Sequence, residues 1–296
     1  MIRSSILETI GATPLVRINR IWSNAKVEIL AKLEGFNPCG SVKERISHAM
    51  VEGAERDGSL KKGMTLVESS SGNTGIGLAM VGAVKGYKVR VTMAKKASVE
   101  RRKMLKALGA ELVLVDGGSD EAWDKADEIA ASDRKKYFRV HQYKSKYNAE
   151  CHYRTTGPEI WSQAGGKIDV LVVTLGTCGT IMGAGRFLRE KNPKLRIVSV
   201  EPTEKHEQQG IRNLTANRVP EIYDKSIADE RMICKDDDAF RLAREIALKE
   251  GIFAGISSGS ALWGAIEQAK RLKKGVVVTI FPDRGEKYLS TPLFDS

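Results

Sequence analysis

Short runs of β-branched and aliphatic residues alternate with longer stretches whose apolar positions recur every three or four residues, and no other feature restricts the chain as much. The strand-like runs are 27–33, 65–68, 88–93, 111–115, 168–175, 195–200 and 276–281. Between them the spacing predicts helices over 42–57, 74–85, 99–108, 121–131, 159–164, 181–190, 236–249 and 261–272. A strand that returns to its sheet through a helix runs parallel to its neighbour, so the pattern predicts an α/β chain, mostly parallel sheet flanked by helices on both faces. Ligands of such folds sit beyond the C-terminal strand ends, where loops meet helix starts. The longest stretch predicted to be irregular is 201–235, and loops of that length tend to serve function.

Composition removes several classes. A chain of 296 residues, 42% hydrophobic and 29% charged, is long enough for two lobes and ordinary for a globular protein. The net charge of +11 is spread along the chain, which suits anionic small molecules and solubility. No basic-aromatic module is visible and aromatic residues are only 6%, which argues against nucleic acid. Cys39, Cys151, Cys178 and Cys234 form no C-x-x-C pair, and His48, His141, His152 and His206 lack ligand spacing, so reduced thiols, no metal and a cytoplasmic home are expected. The start has no apolar signal core and no run reaches membrane-spanning length, so no membrane is expected either.

Four stretches carry chemistry. Asn37-Pro38-Cys39-Gly40-Ser41-Val42-Lys43-Glu44-Arg45 joins a strand to a helix, with Ser41 in position to cap it and Lys43 in the first turn. The positive helix end favours the unprotonated amine, a nucleophile suited to a Schiff base. Taken alone, the same stretch also fits an exposed lysine in a lysine-rich chain. Glu68-Ser69-Ser70-Ser71-Gly72-Asn73-Thr74-Gly75 offers hydroxyls, N–H groups and the Asn73 amide to a carboxylate and a ring oxygen, or is a glycine-eased turn with a capping Asn. Gly176-Thr177-Cys178-Gly179-Thr180 follows an apolar strand and enters a helix, as an anion cradle does, but matches neither the P-loop nor the dinucleotide fingerprint. A phosphorylated cofactor without a nucleotide suits it, and plain close packing is the alternative. Gly255-Ile256-Ser257-Ser258-Gly259-Ser260 opens the last predicted helix, where its serines serve at least as caps.

Together these stretches resemble the cysteine synthase (O-acetylserine sulfhydrylase) family of fold-type II pyridoxal-phosphate (PLP) enzymes, in its B-type form. The resemblance runs from Ile10-Gly11-Ala12-Thr13-Pro14-Leu15-Val16 to Pro282-Asp283-Arg284-Gly285-Glu286-Lys287-Tyr288-Leu289-Ser290, nearly the whole chain. It implies two lobes, a smaller mobile one from 1–10 and 37–146 and a larger one from 11–36 and 147–296. It implies that Lys43 carries PLP as an internal aldimine, that Asn73 bonds the ring hydroxyl, that Gly176, Thr177, Cys178, Gly179 and Thr180 bind the phosphate, and that Ser257 faces the pyridine nitrogen. Ser70, Ser71, Gly72, Thr74 and Gln142 would hold the substrate carboxylate. The implied activity is that of a transferase of cysteine biosynthesis: β-replacement through an aminoacrylate, making L-cysteine from O-acetylserine or O-phosphoserine and sulfide, in a cytoplasmic homodimer. Arg212 matches an arginine that pairs with the substrate phosphate in phosphoserine-using relatives.

A serine hydroxyl is too weak a partner to keep a pyridine nitrogen protonated, and a moderate electron sink suits elimination better than transamination. Cys178, Ala94 and Ala97 depart from the family pattern, which places cofactor affinity and lobe closure in question. Two alternatives accompany this reading: a cystathionine β-synthase-type replacement with homocysteine, and a PLP-fold binding protein of low turnover.

Overall fold

A computed structural model describes residues 2–294. In chain order, β1 (Leu15–Arg17) and β2 (Val27–Leu33) precede α1 (Lys43–Arg56). Next come β3 (Thr65–Ser69), α2 (Asn73–Lys85), β4 (Lys88–Ala94), α3 (Val99–Ala107), β5 (Glu111–Val115), α4 (Ser119–Ser132) and β6 (Tyr137–Arg139). After α5 (Lys146–Arg154) and α6 (Thr156–Gln163) follow β7 (Val170–Thr174), α7 (Arg186–Lys191), β8 (Arg196–Pro202), β9 (Glu230–Cys234), α8 (Asp236–Glu250), α9 (Ile256–Lys270) and β10 (Gly275–Phe281).

The strands form two sheets, ordered β1-β2-β10-β7-β8-β9 and β5-β4-β3-β6. All pairs are parallel except β1 with β2. Successive side chains of a strand point to opposite faces, and the central strands of the larger sheet show the result. Val170 and Val172 of β7 enter one core with α8 and α9, whereas Leu171 and Val173 enter another with α6 and Ile181. Both faces are therefore buried, which is why these strands read as unbroken apolar runs. The smaller sheet has its own core, built from Leu66, Val89, Val91 and Met93 with apolar residues of α1 and α2.

Three strands and a helix lie outside the sequence expectation. β1 and β6 span three residues each, too short for a periodic signal, and β9 is a half-exposed edge strand inside the stretch expected to be irregular. α5 combines Asn, Tyr, Cys and His, which are poor helix formers. Two expected boundaries also move. The last long helix starts at Ile256, five residues early, so 256–260 is its first turn and not a loop; 181–190 is a π-turn over Ile181–Gly185 that continues into α7.

The parallel strands β2, β10 and β7 are adjacent, so the loops that leave their C-terminal ends lie side by side. The Val42 N–H donates to the Pro282 carbonyl at 2.8 Å and the Arg284 N–H to the Gly40 carbonyl at 3.2 Å, tying the first two loops together. In the smaller sheet β3 lies between β4 and β6, so the segments after β3 and β6 flank a crevice at its C-terminal end. Asn73 of this sheet bonds Asp283 of the other, and the cleft lies where the two sets of loops meet.

Candidate functional site

Lys43 is the first residue of α1. Its turn is fixed by reciprocal bonds with Ser41: the Lys43 N–H donates to Ser41 Oγ at 3.2 Å, and Glu44 accepts from the Ser41 N–H at 2.9 Å and its hydroxyl at 3.0 Å. The Lys43 amine makes no hydrogen bond or ion pair among the described residues. Burial lowers its pKa most strongly, while the charges of Asp283, Glu34 and Glu44 act in the opposite sense. An amine so placed is depleted in the ammonium form and free to attack a carbonyl.

Asn73 opens α2 directly after β3. Its Nδ2 donates to Asp283 Oδ2 at 2.7 Å, and its Oδ1 accepts from Lys287 Nζ at 3.1 Å. In the preceding loop Ser70 Oγ accepts from the N–H groups of Gly72 and Gly75 at 3.0 and 3.1 Å, so its oxygen shapes the turn, while Ser71 is exposed. Gly72 has φ 147°, and a Cβ there would lie 2.2 Å from Arg101 Cδ; the position therefore requires glycine. The Thr74 hydroxyl donates to Gln142 Oε1 at 2.6 Å, and Gln142 Nε2 donates to the Ser69 carbonyl at 2.6 Å. Substrate-loop residues from β3 and β6 thus meet across the crevice.

Beyond β7, the N–H groups of Gly176, Thr177 and Cys178 donate to no backbone or side-chain acceptor among the described residues. Asn148 of α5 fastens this loop to the crevice, donating to the Gln142 carbonyl at 2.7 Å and to Thr177 Oγ1 at 3.1 Å. A Cβ on Gly179 would lie 1.8 Å from Asn148 Oδ1, so only glycine allows the approach. Thr180 Oγ1 pairs with His152 Nε2 at 3.2 Å, and His152 Nδ1 with Thr156 Oγ1 at 2.8 Å. Burial above all, with the charges of Arg45 and Lys43, holds the imidazole pKa far below its usual value. Cys178 adopts φ 66°, the left-handed region that explains the usual glycine, and its side chain packs in the apolar core with Ile181 and Leu188. The thiol therefore adds no bulk to the cradle, and burial, reinforced by Glu201, keeps it protonated.

Ser257 lies in the first turn of α9 and makes no side-chain hydrogen bond among the described residues. The turn is brought to the cleft by Gly255, whose N–H donates to the Asp283 carbonyl at 3.0 Å. Arg212 is not solvated: its Nη2 donates to the Tyr143 hydroxyl at 3.1 Å, and its guanidinium carbon stands 4.6 Å from that ring's centre. Asp120 and the Arg218 carbonyl are longer contacts, each at 3.4 Å.

Sequence reasoning did not single out Asp283, Lys287, Arg101 and Asn148. The first two stand in the motif after β10, and their sequence signal was present; nothing in the sequence marks Arg101 or Asn148. All of Arg101 is buried, with Nε and Nη2 unbonded among the described residues, and Asp283 Oδ1 and Asn148 Oδ1 are likewise buried and unpartnered. Buried polar atoms are normally satisfied, so such a group of orphans marks a ligand position. An amine without a partner, an amide and three free loop N–H groups are the donors that an aldehyde, a ring oxygen and a phosphate need, and PLP fits them. A separate groove lined by Arg56, Tyr147, Met182, Arg186 and Ile222 contains none of these residues. Among the described residues no group of His, Cys, Asp and Glu has the arrangement of a metal site, and no helix is long and apolar enough to cross a membrane.

Residues 6–283 match the family of pyridoxal-phosphate dependent enzymes. The chain is 44% identical over 293 residues to cysteine synthase B of Salmonella typhimurium, covering 98% of this chain and 96% of that protein. The structure of cysteine synthase from Entamoeba histolytica superposes with a TM-score of 0.94 at 38% identity, covering 100% of this chain and 92% of the other. O-ureido-L-serine synthase gives a TM-score of 0.94 at 40% identity, over 100% and 96% of the two chains. The chain belongs to the pyridoxal-phosphate dependent enzyme family, in its cysteine synthase branch.

Proposed function

We propose that the activated serine used by this cleft is O-acetylserine, and that the chain works as a cytoplasmic homodimer whose smaller lobe, 1–10 with 37–146, closes on substrate against 11–36 with 147–296. As a cysteine synthase, the chain uses PLP to form L-cysteine from an activated serine and sulfide. The observation that carries the assignment of roles is the unpartnered Lys43 amine at the start of α1, its pKa lowered by burial.

PLP, when bound, supplies an aldehyde for an amine and a ring that accepts the electrons of a broken Cα–H bond. Lys43 Nζ would hold the aldehyde and, once displaced by the substrate amine, would take the substrate Cα proton and return it after acetate has left Cβ and sulfide has added there. Asn73, which opens α2, would donate to the ring oxygen, and Ser257, in the first turn of α9, would face the ring nitrogen. The N–H groups of Gly176, Thr177 and Cys178, with those opening the following helix at Gly179 and Thr180, would take the phosphate. Thr74 and Gln142, with the loop of Ser70, Ser71 and Gly72, hold the substrate carboxylate, which would accept the proton that Thr74 now gives to Gln142.

One observation favours O-phosphoserine as a second substrate. The Arg212 N–H donates to the Leu175 carbonyl at 2.7 Å, beside the phosphate loop, and a phosphate would replace its two 3.4 Å contacts with bidentate ones. Visible spectra with each ester, followed by sulfide and assay of cysteine, test both readings. Lys43→Ala is expected to lower cysteine formation ~1,000-fold or more. Arg212→Ala is expected to spare acetylserine turnover and to remove any phosphoserine turnover; equal losses with both esters would end the phosphate role. Light scattering on the eluted protein checks the dimer.

A further inference from the structure

The loop after β10 holds the Asn73 amide at both ends. Lys287 Nζ donates to Asn73 Oδ1 at 3.1 Å and to the Gly40 carbonyl at 2.9 Å. Asp283 Oδ2 accepts from Asn73 Nδ2 at 2.7 Å and from the Tyr288 hydroxyl at 2.8 Å. The chemistry of the partners dictates which way the amide faces. The Gly40 carbonyl can only accept, so Lys287 must give it one N–H and has another for Asn73 whether charged or neutral. A carboxylate likewise only accepts. Flipping the amide would set its oxygen against a carboxylate, which breaks that bond whatever the state of Lys287, and would break the Lys287 bond too where the amine is charged.

The clamp is itself held in place. Lys287 lies in a short turn, Gly285–Tyr288, whose Lys287 carbonyl accepts from Ser98 Oγ at 2.9 Å, and the Asp283 carbonyl accepts from the Gly255 N–H at 3.0 Å. Asp283 and Lys287 are both almost wholly buried, at 2% and 0% exposure, so solvent does not compete for the amide.

We propose that Asp283 and Lys287 are positioning residues that turn Asn73 so that its remaining N–H faces the cofactor ring oxygen and its own oxygen is turned away toward Lys287. A donor without an acceptor favours an ionised oxygen over a hydroxyl, because a hydroxyl's own proton finds no partner there. The clamp thus selects the ionised ring oxygen of bound PLP. The inference rests on the cofactor position proposed above.

The test is the resting absorption spectrum of the holoenzyme, before any substrate, read as the ratio of the long-wavelength band of the ionised ring oxygen to the short-wavelength band of the neutral hydroxyl, per mole of bound PLP. Lys287→Met is expected to lower this ratio about tenfold, as loss of a hydrogen bond to a charged group does, and Lys287→Arg to restore most of it. Asp283→Leu, made independently, is expected to act in the same direction. In an Asn73→Ala background Lys287→Met should change the ratio no further. Variants that load PLP with the wild-type ratio, whatever their melting temperature, overturn the clamp and leave the cofactor site standing. A wild-type protein that takes up no PLP overturns both.

Discussion

Lys43 and Arg45 are two residues apart at the start of α1, a spacing that turns them to opposite sides of the helix, and they lead into two kinds of buried charge cluster. On the Arg45 side every charge has its partner. Arg45 holds Glu34 through Nε at 2.7 Å and Nη2 at 2.9 Å, and Glu159 through Nη1 and Nη2 at 2.7 Å each. Lys32 Nζ completes the set with Glu159 at 2.7 Å, Gln163 at 2.8 Å and the Thr13 carbonyl at 2.5 Å. Two cations face two carboxylates. On the Lys43 side, Lys43, Arg101 and Lys287 gather around Asp283, whose distance from Arg101 Nη2 is 3.6 Å, and several polar atoms lack partners. A cluster closed on itself serves the fold, whereas one that leaves buried polar atoms without partners is completed by a ligand.

The sharpest way to break this contrast is the same substitution in both clusters. Arg45→Met strands Glu34 without its ion-pair partner in a dry site and is expected to cost ~3–5 kcal/mol in urea unfolding. Arg101→Met removes a guanidinium that is already under-bonded, and its aliphatic chain can still cover Gly72 and Tyr288, so a loss of no more than about 1 kcal/mol is expected. Activity should rank the other way, with the folded Arg45→Met enzyme closer to wild type. Equal stability losses would mean that the cleft cluster is as complete as the other.

Acid unfolding is the next largest effect. Burial is the largest single influence on Glu159 and acts upward, but the hydrogen bonds and charges of Arg45 and Lys32 together outweigh it and hold its pKa at about 2, against an ordinary 4.5. A carboxyl whose pKa is depressed on folding contributes stability above the unfolded value and loses it as pH falls through the folded one. The window is therefore about pH 4.5 down to pH 2, and the contribution is ~3 kcal/mol, with Glu159 largely buried. Glu159→Gln should flatten the urea midpoint across that window. A variant that keeps the wild-type slope would place the acid-sensitive pair elsewhere.

The same contrast explains what was legible in the sequence. Loops that offer backbone N–H groups are read from local order, because glycines and hydroxyl residues must be contiguous to build them; Gly176–Thr180 and the stretch around Asn73 were visible for that reason. The central strands were visible because burial on both faces leaves no polar interruption, as in Val170–Thr174. The clamps were not. Asn73 and Asp283 are 210 residues apart, and Asn148 reaches Thr177 from 29 residues away, so nothing in either neighbourhood announces the other. Ser257 was placed in a loop because Ser and Gly dominate its turn; tertiary packing against α8, where a Cβ on Gly259 would meet the Ala239 carbonyl at 1.9 Å, makes that turn helical.

Cys178 stands between the two kinds of region, and the smallest prediction concerns it. Its N–H is without an acceptor among the described residues and its side chain belongs to the core, so fold and site can be separated at one residue. The left-handed conformation at φ 66° costs a residue with a Cβ about 1–2 kcal/mol, and glycine escapes that while losing about 0.4–1 kcal/mol through its freer unfolded chain. Comparing Cys178→Gly with Cys178→Ala, both of which delete the thiol, isolates the conformational part: the glycine variant is expected to be the more stable by about 1 kcal/mol. Because both keep the N–H, their affinities for PLP, measured by fluorescence quenching, should differ less than about twofold. An alanine variant that binds PLP much more weakly than the glycine variant would show that the strain at 178 is transmitted to the cradle, and that core and cleft are not separable there.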